Sequence, residues 1–413
     1  MYTSTSSSAS DTAKNAVWPV RKHVTAGFCA ASSPLPMRTG IASPPPIPLP
    51  SLSTRPAQSR KHREPAMTTC LSRRRFLRAL SLTGAAGFAA LHPLSSAAHA
   101  TVPRTSVLTE TRLLMGTMVS VTVSDSSRAR MEDALHTVFL RMEELVPLFD
   151  RHASSSAVSV LNAQGQMRDI PQELSALLSH SRAMAALTEG AFNPTVQPLV
   201  DIFRRHASTG DIASIPETEL AEARALVSAN GRSGWISGRD GVRLEREGMG
   251  LTLDGIAKGR IADIASRELA GAGLPNHLIN AGGDIVASGE KAPETPWQVA
   301  VANPVSPHTG NARHGNAFAL RNAALATSGS YEIYYDAEQR HHHLISASTG
   351  SSPIGTISAS ALAPSATDAD ALATAFSVMP PRDALRLADK LPGCGCLLLS
   401  RDGSVLKSRG WPS

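Results

Sequence analysis

From Thr101 to the C-terminus, helical and extended patterns follow one another without regular alternation, and this order constrains the fold more than any other feature. A doubly wound parallel sheet requires strands and helices in turn. Here Leu113–Val123 reads as a β-branched strand. Arg128–Leu145 follows, with Met131, Leu135, Val138, Met142 and Leu145 at helical spacing and Pro147 as a stop. Pro171–Thr188 and Glu217–Ser228 are further predicted helices. Trp235–Arg246 reads as a hairpin turned at Asp240-Gly241. A short strand, Leu251–Leu253, runs into a helix over Ile256–Leu269. Strands are then predicted at His277–Asn280, Trp297–Ala302 and Ala323–Thr327, with a hairpin-like pair at Tyr331–Tyr335 and His341–Ile345 and a strand near Thr356–Leu362. Helices at Asp368–Val378 and Arg382–Lys390 precede a closing hairpin, Cys394–Leu399 with Ser404–Ser408, turned at Asp402-Gly403. Strands cluster in runs and no repeat of fixed period occurs, so the expected class is α+β.

Charge separates the first hundred residues from the rest. Residues 1–100 hold 12 Lys+Arg against 2 Asp+Glu, whereas the other 313 hold 28 against 32. The basic pI of about 9.4 therefore belongs to the leader, and a nucleic-acid partner is not expected. Residues 1–66 carry ten of the 28 prolines, including the run Ser43–Pro50, and are expected to stay disordered because they bury too little apolar surface. Met67 is a second candidate start; a translated extension and a misassigned start fit these residues equally. Ser72-Arg73-Arg74-Arg75-Phe76-Leu77-Arg78 resembles the twin-arginine export signature. The apolar run Ala79–Leu91 and the small-x-small site Ala98-His99-Ala100 follow it. The expectation is a signal peptide over 67–100, a mature domain over 101–413 and a periplasmic location. The apolar run is too short for a stable span, and no other segment approaches 18 apolar residues, so no membrane span is expected after cleavage. Four cysteines, Cys29, Cys70, Cys394 and Cys396, show neither zinc-ligand nor disulfide-scaffold spacing. The last two share a strand face and are read as core or edge residues.

Three clusters have chemical potential. In Thr367-Asp368-Ala369-Asp370-Ala371-Leu372-Ala373-Thr374, Asp370 and Thr374 lie four apart on one helix face. Carboxylate, hydroxyl and a neighbouring carbonyl are the hard oxygen ligands of a partly hydrated Mg²⁺. First-turn acids that merely complement the helix dipole fit the same residues. Leu253-Asp254-Gly255-Ile256-Ala257-Lys258-Gly259 is a glycine-punctuated entry to a helix, suited to a phosphate with Lys258 as counter-charge. Asn280-Ala281-Gly282-Gly283-Asp284 is a third glycine loop, equally at home as a tight turn. In His341-His342-His343 successive strand side chains face opposite sides, so one can serve a site and a three-histidine centre is not expected.

The order of these pieces along the chain carries a resemblance. Met115-Gly116-Thr117 opens the series; Ser156–Asn162, Gly190-Ala191-Phe192-Asn193-Pro194-Thr195-Val196, Leu253–Gly259, Asn280–Asp284, Ala326-Thr327-Ser328-Gly329, His343-Leu344-Ile345 with Thr349-Gly350, and Asp370–Thr374 follow. The chain resembles the ApbE family of FAD:protein FMN transferases from Leu113 to about Leu399. The resemblance implies a single α+β domain with a tunnelling-fold-like core and mixed or antiparallel sheets. It also implies FAD as substrate in a cleft, Mg²⁺ on the diphosphate, and FMN transfer to a threonine of a client flavoprotein, such as an FMN-binding domain or a respiratory redox subunit. Carried over by motif, Met115, His152, Ala191, Phe192, Asn193, Thr252, Lys258 and His343 are expected at FAD. Gly255, Asp370, Ala373 and Thr374 are expected at the metal, with His343 and Asp370 as the catalytic pair. Five positions depart from the pattern: His152 stands for an aromatic or hydrophobic residue, Asn193 for Asp, Thr252 for an acid with Asp254 nearby, and Ser346-Ala347 for Asp-Pro. An Mg²⁺-dependent FAD pyrophosphatase and a non-catalytic periplasmic FAD-binding protein are the alternatives.

Overall fold

The computed structural model describes residues 105–228, 230–238, 240–304 and 317–412. The predicted extension 1–66, the signal 67–100, Cys29 and Cys70 lie outside the described residues. The predicted strand Leu113–Val123 is instead the tip and return of a hairpin, β1 (Ser106–Leu114) and β2 (Thr117–Asp125). Met115 (φ 53°) and Gly116 (φ 71°) make the turn, both in the left-handed region that a two-residue hairpin loop requires. A methionine there breaks no apolar pattern, so the turn left no mark in the periodicity.

Helix α1 (Arg128–Phe149) starts at the Ser127 cap and runs through Pro147 rather than stopping before it. Leu145 and Phe149 are buried on either side of the proline, and their packing outweighs one missing hydrogen bond in the last turn. Next come α2 (Ala157–Gln164), β3 (Gln166–Met167), α3 (Gln172–Leu187), α4 (Gln197–Thr209) and α5 (Glu217–Leu226). The hairpin β4 (Trp235–Gly238) and β5 (Gly241–Leu244) completes a small sheet of order β3-β5-β4. Leu251–Leu253 is no strand. The side-chain amide of Asn162 takes both backbone groups of Leu251, donating to its carbonyl and accepting from its N–H at 2.8 Å each, and so replaces a partner strand.

Beyond α6 (Ala257–Gly271) lie β6 (His277–Ala281), β7 (Asp284–Ser288), β8 (Trp297–Ala300), β9 (Ala317–Leu320), β10 (Ala323–Gly329) and β11 (Thr356–Ala363). Helices α7 (Ala366–Val378) and α8 (Pro381–Lys390) precede β12 (Gly395–Ser400) and β13 (Val405–Lys407). The main sheet has the order β1-β2-β6-β7-β10-β11-β12-β13, antiparallel at each pairing. It stays open, so the tunnelling-fold-like core is a sheet without barrel closure. The expected pair at 331–345 is realised as a 3₁₀ turn, Ser330–Glu332, and a single bridge between Tyr334 and His342.

Strand β11 is buried at all eight positions because both its faces are covered. Ala359, Ala361 and Ala363 face the alanine-rich α7, and these small side chains let helix and sheet approach closely. On the other face, Leu362 joins Leu325, Leu397 and the β8–β9 residues Trp297, Val299, Phe318 and Leu320. Cys396 is buried and Cys394 half-buried, both free thiols, as the core-or-edge reading expected.

The N-terminus of α7 is fixed from outside by Asp263 of α6. Its carboxylate accepts from the N–H groups of Ala366 (2.9 Å) and Thr367 (2.8 Å) and from the Thr367 hydroxyl (2.5 Å). The two helices meet so closely at Gly259 that a Cβ there would stand 2.1 Å from the Ala366 carbonyl oxygen. Gly259→Ala is therefore expected to destabilise the protein by about 3 kcal/mol, at the upper end of typical overpacking costs. A urea titration with unchanged m-value measures it.

Candidate active site

A cavity of about 730 Å³ opens where the start of α6, the middle of α7, the β1–β2 and β6–β7 turns and segment 328–345 converge. That volume lies within the range of about 300–1,000 Å³ usual for small-molecule and cofactor sites. Met115, His152, Ala191, Phe192, Asn193, Thr252, Gly255, Lys258, His343, Asp370 and Thr374 all line it. Of the expected residues only Ala373 is outside the lining, fully buried in α7.

The two aspartates of α7 divide between the two readings left open by the sequence. Asp368 is the dipole-complementing acid of the first turn, bonded to Ser365 and to His180 Nε2 at 2.8 Å. Asp370 is 2 % exposed, its Oδ2 accepts from the Gly259 N–H at 3.1 Å, and its Oδ1 faces Lys258 Nζ at 3.9 Å. One turn on, Thr374 lies 3.4 Å from Ser328 Oγ. Gly255 packs beneath it, where a Cβ would meet Thr374 Oγ1 at 2.5 Å. A glycine here is what lets a backbone segment, a carboxylate and a hydroxyl share one corner.

Lys258 Nζ donates to Asp284 Oδ2 at 2.5 Å, and Asp284 is 1 % exposed. The partner of this lysine was not anticipated; its only sequence signal is its place directly after Gly282-Gly283. Burial opposes the charged lysine, but Asp284 and Asp370 more than offset it and raise its pKa. Burial, with Asp284 acting against the relief given by Lys258, pushes Asp370 up to about 7. Burial likewise raises Glu332. Two buried carboxylates, Asp284 and Asp370, thus flank one ammonium, an excess of negative charge that a divalent cation would neutralise. Among the described residues no three His, Cys, Asp or Glu side chains form a ready metal cage. The donor set of Asp370, Thr374 and the Gly255 backbone therefore fits a cation that takes its remaining oxygens from substrate phosphate and water, as Mg²⁺ does.

The three histidines go to different surroundings. His341 stacks on Phe203 at 5.4 Å, and buried His342 donates from Nε2 to the Pro353 carbonyl at 2.8 Å. His343 alone reaches the cavity, with Nδ1 donating to the Ile333 carbonyl at 3.5 Å, which leaves Nε2 as the acceptor. Burial, then the neighbouring His342, takes its pKa down to about 4, so at neutral pH it is an unprotonated base.

The helix-entry N–H groups do less than the glycine pattern suggested. Those of Ile256 and Ala257 bond the Leu253 carbonyl at 3.1 and 2.9 Å, and that of Gly259 serves Asp370. Positive charge in this corner comes from Lys258, not from a row of free amides. Asn193 also lines the cavity, but its side chain caps a 3₁₀ turn, accepting from Thr195 N–H and Oγ1 and donating to the Ser228 carbonyl. Arg151, another residue the sequence left unmarked, holds Asp254 at 2.5 Å in the cavity wall. Burial opposes ionisation of Asp254, yet this arginine keeps its pKa below the usual carboxylate value.

The ApbE family profile matches residues 115–398, more than half of the chain. This chain belongs to the ApbE family. A Treponema pallidum protein named FAD:protein FMN transferase is 30% identical over 319 residues, covering 72% of this chain and 86% of the relative. A solved ApbE protein from Thermotoga maritima superposes with a TM-score of 0.63 at 26% identity, over 74% of this chain and 97% of that one. The flavin transferase ApbE from Vibrio cholerae shares the fold, with a TM-score of 0.63 at 22% identity, over 75% and 99%. Ser346, where the resemblance implied an Asp, has as partners Ser348 Oγ at 2.9 Å and the Ser351 carbonyl at 3.0 Å. It lines a separate cleft of about 280 Å³ with Arg386 and Lys390, and the hydrogen-bond partner of His343 is the Ile333 backbone carbonyl.

Proposed function

We propose that this protein is an exported FAD:protein FMN transferase that moves FMN from FAD to a threonine hydroxyl of a client flavoprotein and releases AMP. The observation that carries this reading is the meeting of Lys258, Asp370, Thr374 and a neutral His343 in one cavity whose other walls are largely apolar. Met115, Phe149, Ala191, Phe192 and Val200 suit a flat ring system, and the charged corner suits a diphosphate. His343 accepts the proton of the incoming hydroxyl as its oxygen bonds to the FMN-side phosphorus; the bond from that phosphorus to the bridging oxygen breaks and AMP departs. Lys258 holds the diphosphate by charge. Mg²⁺, held by Asp370, Thr374 and the Gly255 backbone, would supply neutralisation of the charge on the phosphoryl oxygens. The twin-arginine-like segment Ser72–Arg78 and the site Ala98-His99-Ala100 support export to the periplasm, and no helix among the described residues is long and apolar enough to cross a membrane.

The test is incubation with FAD, MgCl₂ and a client domain bearing an acceptor threonine. Covalent FMN on the client by intact-mass spectrometry, with AMP in equal amount, supports the transferase. Free FMN and AMP with an unmodified client make it a diphosphatase, and bound FAD without AMP makes it a binding protein.

A further inference from the structure

Lys258 sits between two carboxylates and is tied to only one. Its ammonium is 2.5 Å from Asp284 Oδ2 and 3.9 Å from Asp370 Oδ1. The other Asp370 oxygen is occupied by the Gly259 N–H, so Oδ1 is the oxygen open to a cation, and the lysine is its nearest competitor. Asp284 cannot drift toward or away from the lysine. It is the first residue of β7, paired opposite Ala281 across the tight Gly282-Gly283 turn. Gly282 is itself pressed against Thr117, where a Cβ would stand 2.4 Å from Oγ1. Lys258, in turn, is in the first turn of α6, which the Gly259–Ala366 approach fixes against α7.

From this geometry we infer that Asp284 is a positioning residue that keeps Lys258 off Asp370, so that the Asp370 carboxylate is free for the divalent cation and the ammonium is free for the diphosphate. Asp284 acts by capturing the ammonium and is not itself a ligand of the cation. Without that partner the lysine closes the remaining gap, forms a direct ion pair with Asp370 and blocks the cation. The inference rests on the cation reading proposed above and goes beyond it by assigning the device that keeps the two positive groups apart.

The test uses Mn²⁺ alone, with binding to the purified chain followed by electron paramagnetic resonance in the absence of FAD. Asp284→Asn should weaken Mn²⁺ binding about tenfold, the scale of one charge-assisted hydrogen bond between the competing lysine and Asp370. Adding Lys258→Met to that variant should return the affinity to within about twofold of the parent, because the competitor is gone. Lys258→Met alone should bind Mn²⁺ at least as tightly as the parent while losing FAD affinity, and this arm leaves the β6–β7 turn untouched. A double variant as weak as Asp284→Asn overturns the inference, since Asp284 would then be a ligand. An Asp284→Asn variant that binds like the parent, or a weakened Lys258→Met, overturns it as well. If the parent takes up no Mn²⁺ either alone or with ADP supplying the diphosphate oxygens, the cation reading fails and takes this inference with it; the variants are compared in whichever condition the parent binds, and if only they misbehave, the transferase reading stands.

Discussion

Asp370→Ala is expected to lower FMN transfer by about 10³-fold or more, since the charge stabilisation given by a metal ion on phosphoryl oxygens is worth several kcal/mol. The loss is not one of folding alone. The alanine also orphans the buried Gly259 N–H, which Asp370 Oδ2 satisfies at 3.1 Å, and that costs about 1–3 kcal/mol. Asp370→Asn separates the two effects. Its amide oxygen still accepts from Gly259 while the charge is gone, so the melting temperature should stay near that of the parent and transfer should still collapse. Steady-state kinetics with a thermal melt on both variants read the difference. An asparagine variant with parental turnover would remove Asp370 from the cation site.

His343→Ala should behave differently. It is expected to slow transfer by about 10²–10⁴-fold, the usual worth of a general base, while FAD affinity changes little. The pH dependence gives the sharper readout. With its pKa taken down to about 4 by burial, His343 in the free protein keeps its acceptor nitrogen down to roughly that pH, so the acid limb of kcat/KM assigned to it lies near 4 rather than 6.5. An anionic diphosphate beside the ring raises that value in the complex, so the corresponding limb in kcat should lie higher. The alanine variant should lack this limb. The same shift bears on stability. Between 6.5 and about 4 the unfolded chain binds the extra proton, so the contribution of His343 is fully present above 6.5 and is lost as pH falls through about 4. A His343→Ala variant that keeps the acid limb near 4 would contradict the base role assigned to His343.

The two variants also explain why the site could be read in part from the chain. Asp370 and Thr374 are one helical turn apart, and a spacing of four puts them on one face wherever the helix goes. Alternation along an extended segment set His342 apart from its two neighbours but left His341 and His343 on one face; His343 was singled out by its place in the family motif. The pairing of Asp370 with Thr374 uses only local geometry. Asp284 and Arg151 could not be found that way: their partners, Lys258 and Asp254, are 26 and 103 residues away, and an isolated acid or arginine in a sequence carries no sign of whom it meets. The choice between Asp368 and Asp370 likewise needed the packing of α7 on the sheet, which turns the first toward Ser365 and His180 and the second into the cavity.

What the chain determines by itself is whatever depends on short-range periodicity: the α+β class, most of the helices and strands, and the clustering of oxygen ligands on α7. Tertiary structure decided the exceptions. The Met115-Gly116 turn, the helix that continues through Pro147 and the Asn162 amide standing in for a strand beside Leu251 are each held by contacts from elsewhere in the chain, and each overrides a local preference too weak to resist them. It also decided the charge pattern of the cavity. The attraction between two buried groups depends on their separation in space and on the water excluded around them, and neither quantity is written in the spacing of residues along a chain.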